Sequence, residues 1–377
     1  MKEKICLKQF FKLMVVYIIA NDTVRGIYAH DLKQDVWIPQ LIGVLISVLL
    51  FTLYLFIYKN TKFNDFDNSM KHVLGKFVSK IIYVLYIIYF LAIIFFNLTD
   101  MQEIIILHLL PGYSDIMLNL IMLGAILYLL SKKVEVLARL SELVFLGIIA
   151  IFIAMIVFST SIHVFNFNNV LPILNKGYLP IVRPAIEMGY SVPFGELFVM
   201  LVIFQHLDNK EKHTKVGTYS ILTASFILTT VTLLNIFIIG PYAMSYGLSP
   251  AFRLARMLDI EEYLQRLDLL LIGYHMIVVF VKIIVLLYGA SIMVRSIFKL
   301  KEKQTKYSNL ILVAIVFVAT LFLTKRYTDI LVFRRDFFIK YIGLIMEVFF
   351  PLLIVIISFA RKGKKIVNPN DLLEFEI

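Results

Sequence analysis

Ten predominantly apolar segments divide the sequence, and each is close to the length of about 20 residues that a helix needs to cross a membrane. The segments span residues 9–29, 36–57, 79–98, 113–130, 140–162, 185–206, 216–240, 267–292, 307–324 and 338–360. Only 17% of the 377 residues are charged, whereas a soluble domain carries about 25%. We therefore predict an all-α polytopic membrane protein with ten transmembrane helices.

Lysine and arginine are concentrated in the loops of one side. If the N-terminus, alternate loops and the C-terminus share that side, 24 of the 37 cationic side chains lie there and 12 lie opposite, with Lys282 inside segment eight. Cytoplasmic loops carry such an excess, so we expect both termini in the cytoplasm. The net charge of +11 is spread between segments, which argues against nucleic-acid binding. The basic residues at 361–365 are expected to face anionic lipid.

Two apolar segments are interrupted by residues that disfavour a helix. The candidate ligand-binding residues at these interruptions are Asn21, Asp22, Thr23 and Gly26 in segment one, and Tyr190, Ser191, Pro193, Gly195 and Glu196 in segment six. Proline removes a backbone donor and glycine loosens the helix. Backbone groups freed inside a membrane must be buried in protein or line a wet cavity. We expect main-chain atoms at both breaks to bind a solute.

The positions of the two breaks predict internal symmetry. Segments one and six are equivalent if the chain forms two inverted five-helix repeats, about 8–163 and 180–360, with a tail at 361–377. Paired interruptions at equivalent positions indicate a binding site at the middle of the membrane. The predicted fold is therefore LeuT-like, with helices 1 and 6 broken.

Three charged residues lie near the middle of apolar segments: Glu196, Lys282 and Glu347. A charge at that depth costs about 2.5–3.5 kcal/mol or more, so each side chain needs a partner or water. Glu196 either binds a cation, amine or proton of a ligand, or caps the second half-helix at its positive end. These two roles are compatible. One interpretation of Lys282 is an ion pair with Glu196 or Glu347.

The sequence contains little that indicates an enzyme. There is no H-E-x-x-H zinc motif, Walker loop or G-x-S-x-G elbow, and the loops are too short for a soluble catalytic domain. We expect neither catalysis nor a cofactor. The longest loop contains residues 254–263, whose amphipathic pattern predicts a helix at the membrane interface.

Four short motifs resemble those of the spore-germination permease family, the B-subunits of nutrient germinant receptors in the amino acid–polyamine–organocation superfamily. They occur in the expected order at Gln34-Asp35-Val36-Trp37-Ile38, Glu135-Val136-Leu137-Ala138-Arg139, Ser191-Val192-Pro193-Phe194-Gly195-Glu196 and Val281-Lys282-Ile283. The resemblance covers about residues 8 to 360. The sequence differs from the family's usual pattern in segment one, where it has Asn21-Asp22-Thr23 and Arg25-Gly26.

The resemblance implies a location in the inner membrane of endospores and assembly with a soluble-domain A-type subunit and a C-type lipoprotein subunit. It implies that a germinant, such as an amino acid, binds between the broken helices. It also implies that Tyr86, one of three regularly spaced tyrosines, lines the pocket or serves in packing. In relatives of this superfamily a sodium site lies against the eighth helix, so the resemblance implies a second interpretation of Lys282, a fixed cation in place of the ion. The competing function is a proton- or cation-coupled amino-acid or organocation permease.

Overall fold

The computed structural model describes residues 4–21, 25–61, 65–132, 134–160, 165–207, 212–245, 267–324 and 326–361. Within these ranges, the structure is almost wholly helical. The α-helices are α1 (Leu7–Ile19), α2 (Arg25–Leu32), α3 (Trp37–Thr61), α4 (Phe66–Leu74), α5 (Lys76–His108), α6 (Asp115–Leu130), α7 (Val134–Thr160), α8 (Leu179–Tyr190), α9 (Met200–Phe204), α10 (His213–Ile239), α11 (Pro241–Ser245), α12 (Leu267–Phe298), α13 (Glu302–Leu323), α14 (Tyr327–Phe333) and α15 (Phe350–Arg361). Residues Arg334–Gly343 and Ile345–Phe349, between α14 and α15, have π-helical hydrogen bonding.

The described part of the chain contains seven helical stretches that are long and apolar enough to cross a membrane. They are Trp37–Tyr58, Lys76–His108, Val134–Ser159, His213–Ile239, Leu269–Phe298, Lys303–Leu323 and Tyr327–Arg361. The predicted segments one and six fall on the interrupted pairs α1–α2 and α8–α9, and segment four falls on the shorter apolar helix α6. The prediction of an all-α membrane protein is confirmed.

Two predicted segments are too short by ten residues or more at one end. Segment three was predicted to end at residue 98, but α5 continues to His108; segment ten was predicted to begin at 338, but its helix begins at Tyr327. The added turns contain Asp100 and Arg334, whose side chains form an ion pair. Pairing neutralises both charges, so charged residues at these positions do not end the helices.

Helix α1 lies at the centre of the fold, where it packs against α7, α10 and α12. Its residues from Leu13 to Ile18 are fully buried, as expected for a helix that is apolar on all sides. Helix α8 packs closely along α3 because two glycines face each other. A Cβ atom added to Gly189 would lie 2.9 Å from the carbonyl oxygen of Gly43. This packing holds the end of α8 beside the central helix.

Several sequence predictions lie outside the described residues. These are the interfacial helix at 254–263, the tail residues 362–377, and the candidate residues Asp22 and Thr23.

Candidate functional site

The predicted break in segment six is present. Helix α8 ends at Tyr190, and helical structure resumes with a 3₁₀ turn at Leu197–Val199 that leads into α9. The amide of Gly195 donates a hydrogen bond to the carbonyl of Ser191. A side chain at position 195 would overlap the carbonyl of Tyr190, so the turn requires glycine. Glu196 has φ 61° and ψ 23°, in the left-handed region that few non-glycine residues adopt.

The first break lies next to the second. Helix α1 ends at Ile19, and the described chain continues to Asn21 before α2 begins at Arg25. Gly26 is in the first turn of α2. Asn21 is only 1% exposed, and its side-chain amide donates a 3.1 Å hydrogen bond to the carbonyl of Pro193. The structure therefore brings the end of α1 and the six-residue gap in segment six, Ser191–Glu196, into direct contact.

Three main-chain oxygens in the second break are hydrogen-bonded to protein side chains. Besides the contact from Asn21 to Pro193, the hydroxyl of Ser47 donates to the carbonyl of Phe194 at 2.7 Å. The hydroxyl of Tyr17 donates to the carbonyl of Glu196 at 2.9 Å. We had expected such oxygens to be free for a solute, and in this conformation these three are not. An unsatisfied carbonyl inside a membrane would cost several kcal/mol, which explains why neighbouring helices supply donors.

Lys282 connects the two breaks. Its Nζ lies 2.6 Å from Oε2 of Glu196, with side-chain exposures of 0% and 3%. The same ammonium donates a hydrogen bond to Oδ1 of Asn21 and lies 5.5 Å from the ring centroid of Tyr17. Of the two carboxylates predicted as partners of this lysine, Glu196 is the one that forms the ion pair. One cation on α12 thus holds the end of α1 against the break in segment six.

Glu347 lies in the π-helical stretch Ile345–Phe349 and is fully buried. The hydroxyl of Tyr54 lies 2.9 Å from Oε2 of Glu347 and 2.5 Å from its carbonyl oxygen. Among the described residues, no donor is in hydrogen-bonding geometry with the other carboxylate oxygen, Oε1. The hydrogen bond from Tyr54 to this buried carboxyl group thus comes from α3.

The remaining candidates pack around the break. The ring of Tyr86 stacks on Phe198 with centroids 4.1 Å apart, and its hydroxyl donates to the carbonyl of Met346 at 2.7 Å. The hydroxyl of Tyr190 donates to the carbonyl of Ile339 at 3.2 Å. Tyr86, Tyr190 and Ser191 are at most 3% exposed. The structure therefore shows a closed arrangement that excludes solvent.

A second buried charge cluster was not predicted from the sequence. Asp100 accepts hydrogen bonds of 2.7 Å from Arg334 and from the hydroxyl of Tyr327. The two charged side chains are 5% and 3% exposed. The sequence feature that could have indicated this pair is the position of both charges just beyond an apolar segment. A charge at such a position either ends the membrane span or pairs with a charge on another span.

Two of the sequence motifs have structural roles outside the break. Gln34 donates to the carbonyl of Pro172 at 3.0 Å, and Asp35 accepts a 3.0 Å hydrogen bond from the amide of Leu174. These contacts tie the start of α3 to the loop that precedes α8. Arg139 pairs with Glu135 at 2.6 Å on an exposed face of α7.

The architecture is similar to that of a solved transporter. A nucleobase-cation-symport-1 family transporter, in a closed conformation with bromovinylhydantoin bound, superposes with a TM-score of 0.59 at 10% sequence identity. The similarity covers 88% of this chain and 75% of the transporter. Together with the apolar helices and the polar break, it defines an integral membrane protein with a transporter-like fold.

The chain belongs to the spore germination protein family, whose model matches residues 4–330. It is 25% identical over 371 residues to spore germination protein KB of Bacillus subtilis strain 168, which covers 97% of both chains. Spore germination protein YndE of the same organism is 24% identical over 369 residues, covering 96% of this chain and 98% of the relative. The family predicted from the four motifs is confirmed.

Proposed function

We propose that this protein is the germinant-sensing membrane subunit of a spore nutrient receptor. In this proposal, a small nutrient such as an amino acid binds between the two breaks and triggers germination. The observation that carries the proposal is the contact of Asn21, Glu196 and Lys282, because three polar side chains from three distant segments meet inside an apolar protein. Family membership supports the role in germination.

Ligand binding would replace contacts that the protein now makes with itself. An ammonium group of the ligand competes with Lys282 for Glu196, and a hydrogen-bonding group competes with Asn21 for the carbonyl of Pro193. Exchange of these contacts would release the end of α1 from α12. To convert a receptor from 1% to 99% active, a ligand must bind the active arrangement about 10⁴-fold more tightly than the closed one.

The proposal includes an arrangement in the membrane and a set of partners. Ten helices cross the bilayer as two inverted five-helix repeats, with both termini in the cytoplasm. The excess of lysine and arginine on one side supports this orientation. The protein lies in the spore inner membrane and assembles with an A-type subunit and a C-type lipoprotein subunit.

The test replaces the polar side chains of the site in spores. Glu196→Gln and Asn21→Ala variants are expected to abolish the loss of optical density that follows nutrient addition, while immunoblots of spore membranes still show the receptor. Asn168→Ala, at an exposed position, is the control and should respond normally. If both site variants respond and assemble as wild type does, the binding pocket is assigned to the wrong place.

A second candidate function is a proton- or cation-coupled permease for amino acids or organocations. The fully buried carboxyl group of Glu347 favours it, because an ionisable group inside a membrane can serve as a proton relay. The purified chain in liposomes distinguishes the two functions. Accumulation of labelled amino acid that depends on a proton gradient and is lost in Glu347→Gln supports transport. Binding without accumulation supports the receptor.

A further inference from the structure

A cavity of about 430 Å³ lies between α2, α8 and the π-helical stretch Arg334–Gly343. Its polar lining consists of Tyr28, Asp31, Arg183, Glu187, Arg335 and Asp336. The volume falls within the range of about 300–1,000 Å³ that small-molecule sites occupy. The cavity is separate from the contact of Lys282 with Glu196, and none of its lining residues is a candidate in the sequence analysis.

The charges in this cavity are arranged by depth. Glu187 pairs with Arg183 at 2.7 Å, and their side chains are 6% and 55% exposed. Arg335 contacts both carboxylate oxygens of Asp336, at 2.8 and 3.2 Å, with side chains 33% and 51% exposed. A carboxylate therefore lies at the floor, and two guanidinium groups lie nearer the opening.

Tyr28 lies beside Glu187 at the floor of the cavity. The residue is only 5% exposed, and its hydroxyl borders the cavity and interacts with the Glu187 carboxylate. A hydroxyl and a carboxylate each have more than one lone pair. Both groups can therefore accept a hydrogen bond from an ammonium in addition to the contacts that they make in the structure.

We propose that this cavity is a second binding site, which takes a zwitterionic α-amino acid. The ammonium lies at the floor against Glu187 and Tyr28, and the carboxylate lies against Arg335, whose planar fork matches a carboxylate. The apolar side chain contacts Leu32 and the prolines of α8, which also line the cavity. A ligand with one charge would contact only one of these two charged groups and would bind more weakly than a zwitterion.

The site is connected to the break in segment six. The carbonyl of Glu187 accepts a 2.9 Å hydrogen bond from the amide of Ser191, the first residue of the break. Tyr28 is on α2, which follows the break in segment one. A ligand held by both residues would fix α2 against α8. The cavity thus serves as a loading site for the same ligand that binds between the two breaks. This inference takes the class of that ligand, an amino acid, from the proposed function.

The test measures protection of a cysteine in the cavity of the full-length protein. Cys6 is the only native cysteine, so Cys6→Ser provides the background. Asp31→Cys reports on the cavity, and Asn168→Cys, at an exposed position outside the cavity lining, is the control. The rate of maleimide labelling is measured with each of the twenty standard amino acids, beginning with L-alanine, and with ethylamine and propionate as single-charge fragments.

At least one amino acid is expected to slow labelling at position 31 about tenfold at ten times its dissociation constant. Labelling at position 168 and labelling with either fragment should change less than about twofold. The inference is overturned if no amino acid protects position 31. It is also overturned if ethylamine or propionate protects as well as the amino acid does.

Further variants separate this site from the proposed central one. Glu187→Gln and Arg335→Gln should each abolish protection, whereas Glu187→Asp should retain part of it, which excludes misfolding as the cause. Persistent protection in both glutamine variants overturns the inference. Glu196→Gln should preserve protection while spores fail to germinate. If those spores germinate normally but protection remains, the proposed function fails and the cavity site stands.

Discussion

Replacement of Lys282 by methionine tests whether the ion pair organises the break. Methionine is apolar and of similar length, so the variant removes the charge with little change in volume. It leaves Glu196 buried without the cation that now lies 2.6 Å away. Removing one partner of a buried pair costs about 3–5 kcal/mol, because the remaining charge is not compensated.

The second partner makes the test quantitative. Glu196→Gln alone should cost a similar amount, since it leaves the ammonium of Lys282 unpaired. Independent contributions would sum to about 6–10 kcal/mol in the double variant. If the two side chains stabilise each other, the double variant should lose about 5 kcal/mol or less.

Unfolding in mixed micelles titrated with dodecyl sulfate provides the assay. Trp37 is the only tryptophan, so its fluorescence follows unfolding without a signal from a second tryptophan. Lys306→Met, at an exposed position on α13, is the matched control and should change stability by less than about 0.5 kcal/mol. Additive losses in the Lys282 and Glu196 double variant would refute the reasoning.

Three further predictions concern the break and the second charge cluster, each measured as the free energy of unfolding. Gly195→Ala should cost more than about 3 kcal/mol, because its Cβ would overlap the preceding turn; Gly124→Ala, where a Cβ meets no atom within 4 Å, is the control, and equal effects would contradict the prediction. Tyr17→Phe should cost about 1–3 kcal/mol by leaving a carbonyl without a donor, and an unchanged stability would contradict it. Asp100→Asn and Arg334→Gln should each cost about 3–5 kcal/mol. Their double variant should cost less than the sum, and strict additivity would show that the pair is not coupled.

The break in segment six was predictable because its causes are local. Proline, two glycines and a carboxylate stand within eight residues of an apolar stretch, and each acts on its own turn of helix. The same reasoning placed Glu196 at the break, where the structure has it. The family followed from four short motifs, which the matched model confirms.

The partners at the break were less predictable because they come from distant parts of the chain. Lys282 is 86 residues from Glu196 and 261 from Asn21. Two carboxylates were the expected partners of this lysine, and Asn21 was not among them. The hydrogen bonds from Tyr17 and Ser47 to the freed carbonyls were not predictable either, because neither residue differs from an ordinary helix residue in sequence.

Charges near the ends of spans were misinterpreted for a related reason. The prediction ended segment three before Asp100 and began segment ten after Arg334, as though each charge faced water. The two are 234 positions apart and form a buried pair. A pattern confined to one segment contains no information about a partner on another helix.

The separation of Glu196 and Lys282 along the chain also affects biosynthesis. At about 5–20 residues per second, a ribosome needs about 4–17 s to add the intervening stretch. During that interval the glutamate is already part of the nascent chain and its cation has not yet been made. A nascent chain must therefore keep this carboxylate protonated, wet or shielded by the insertion machinery until the eighth apolar segment arrives.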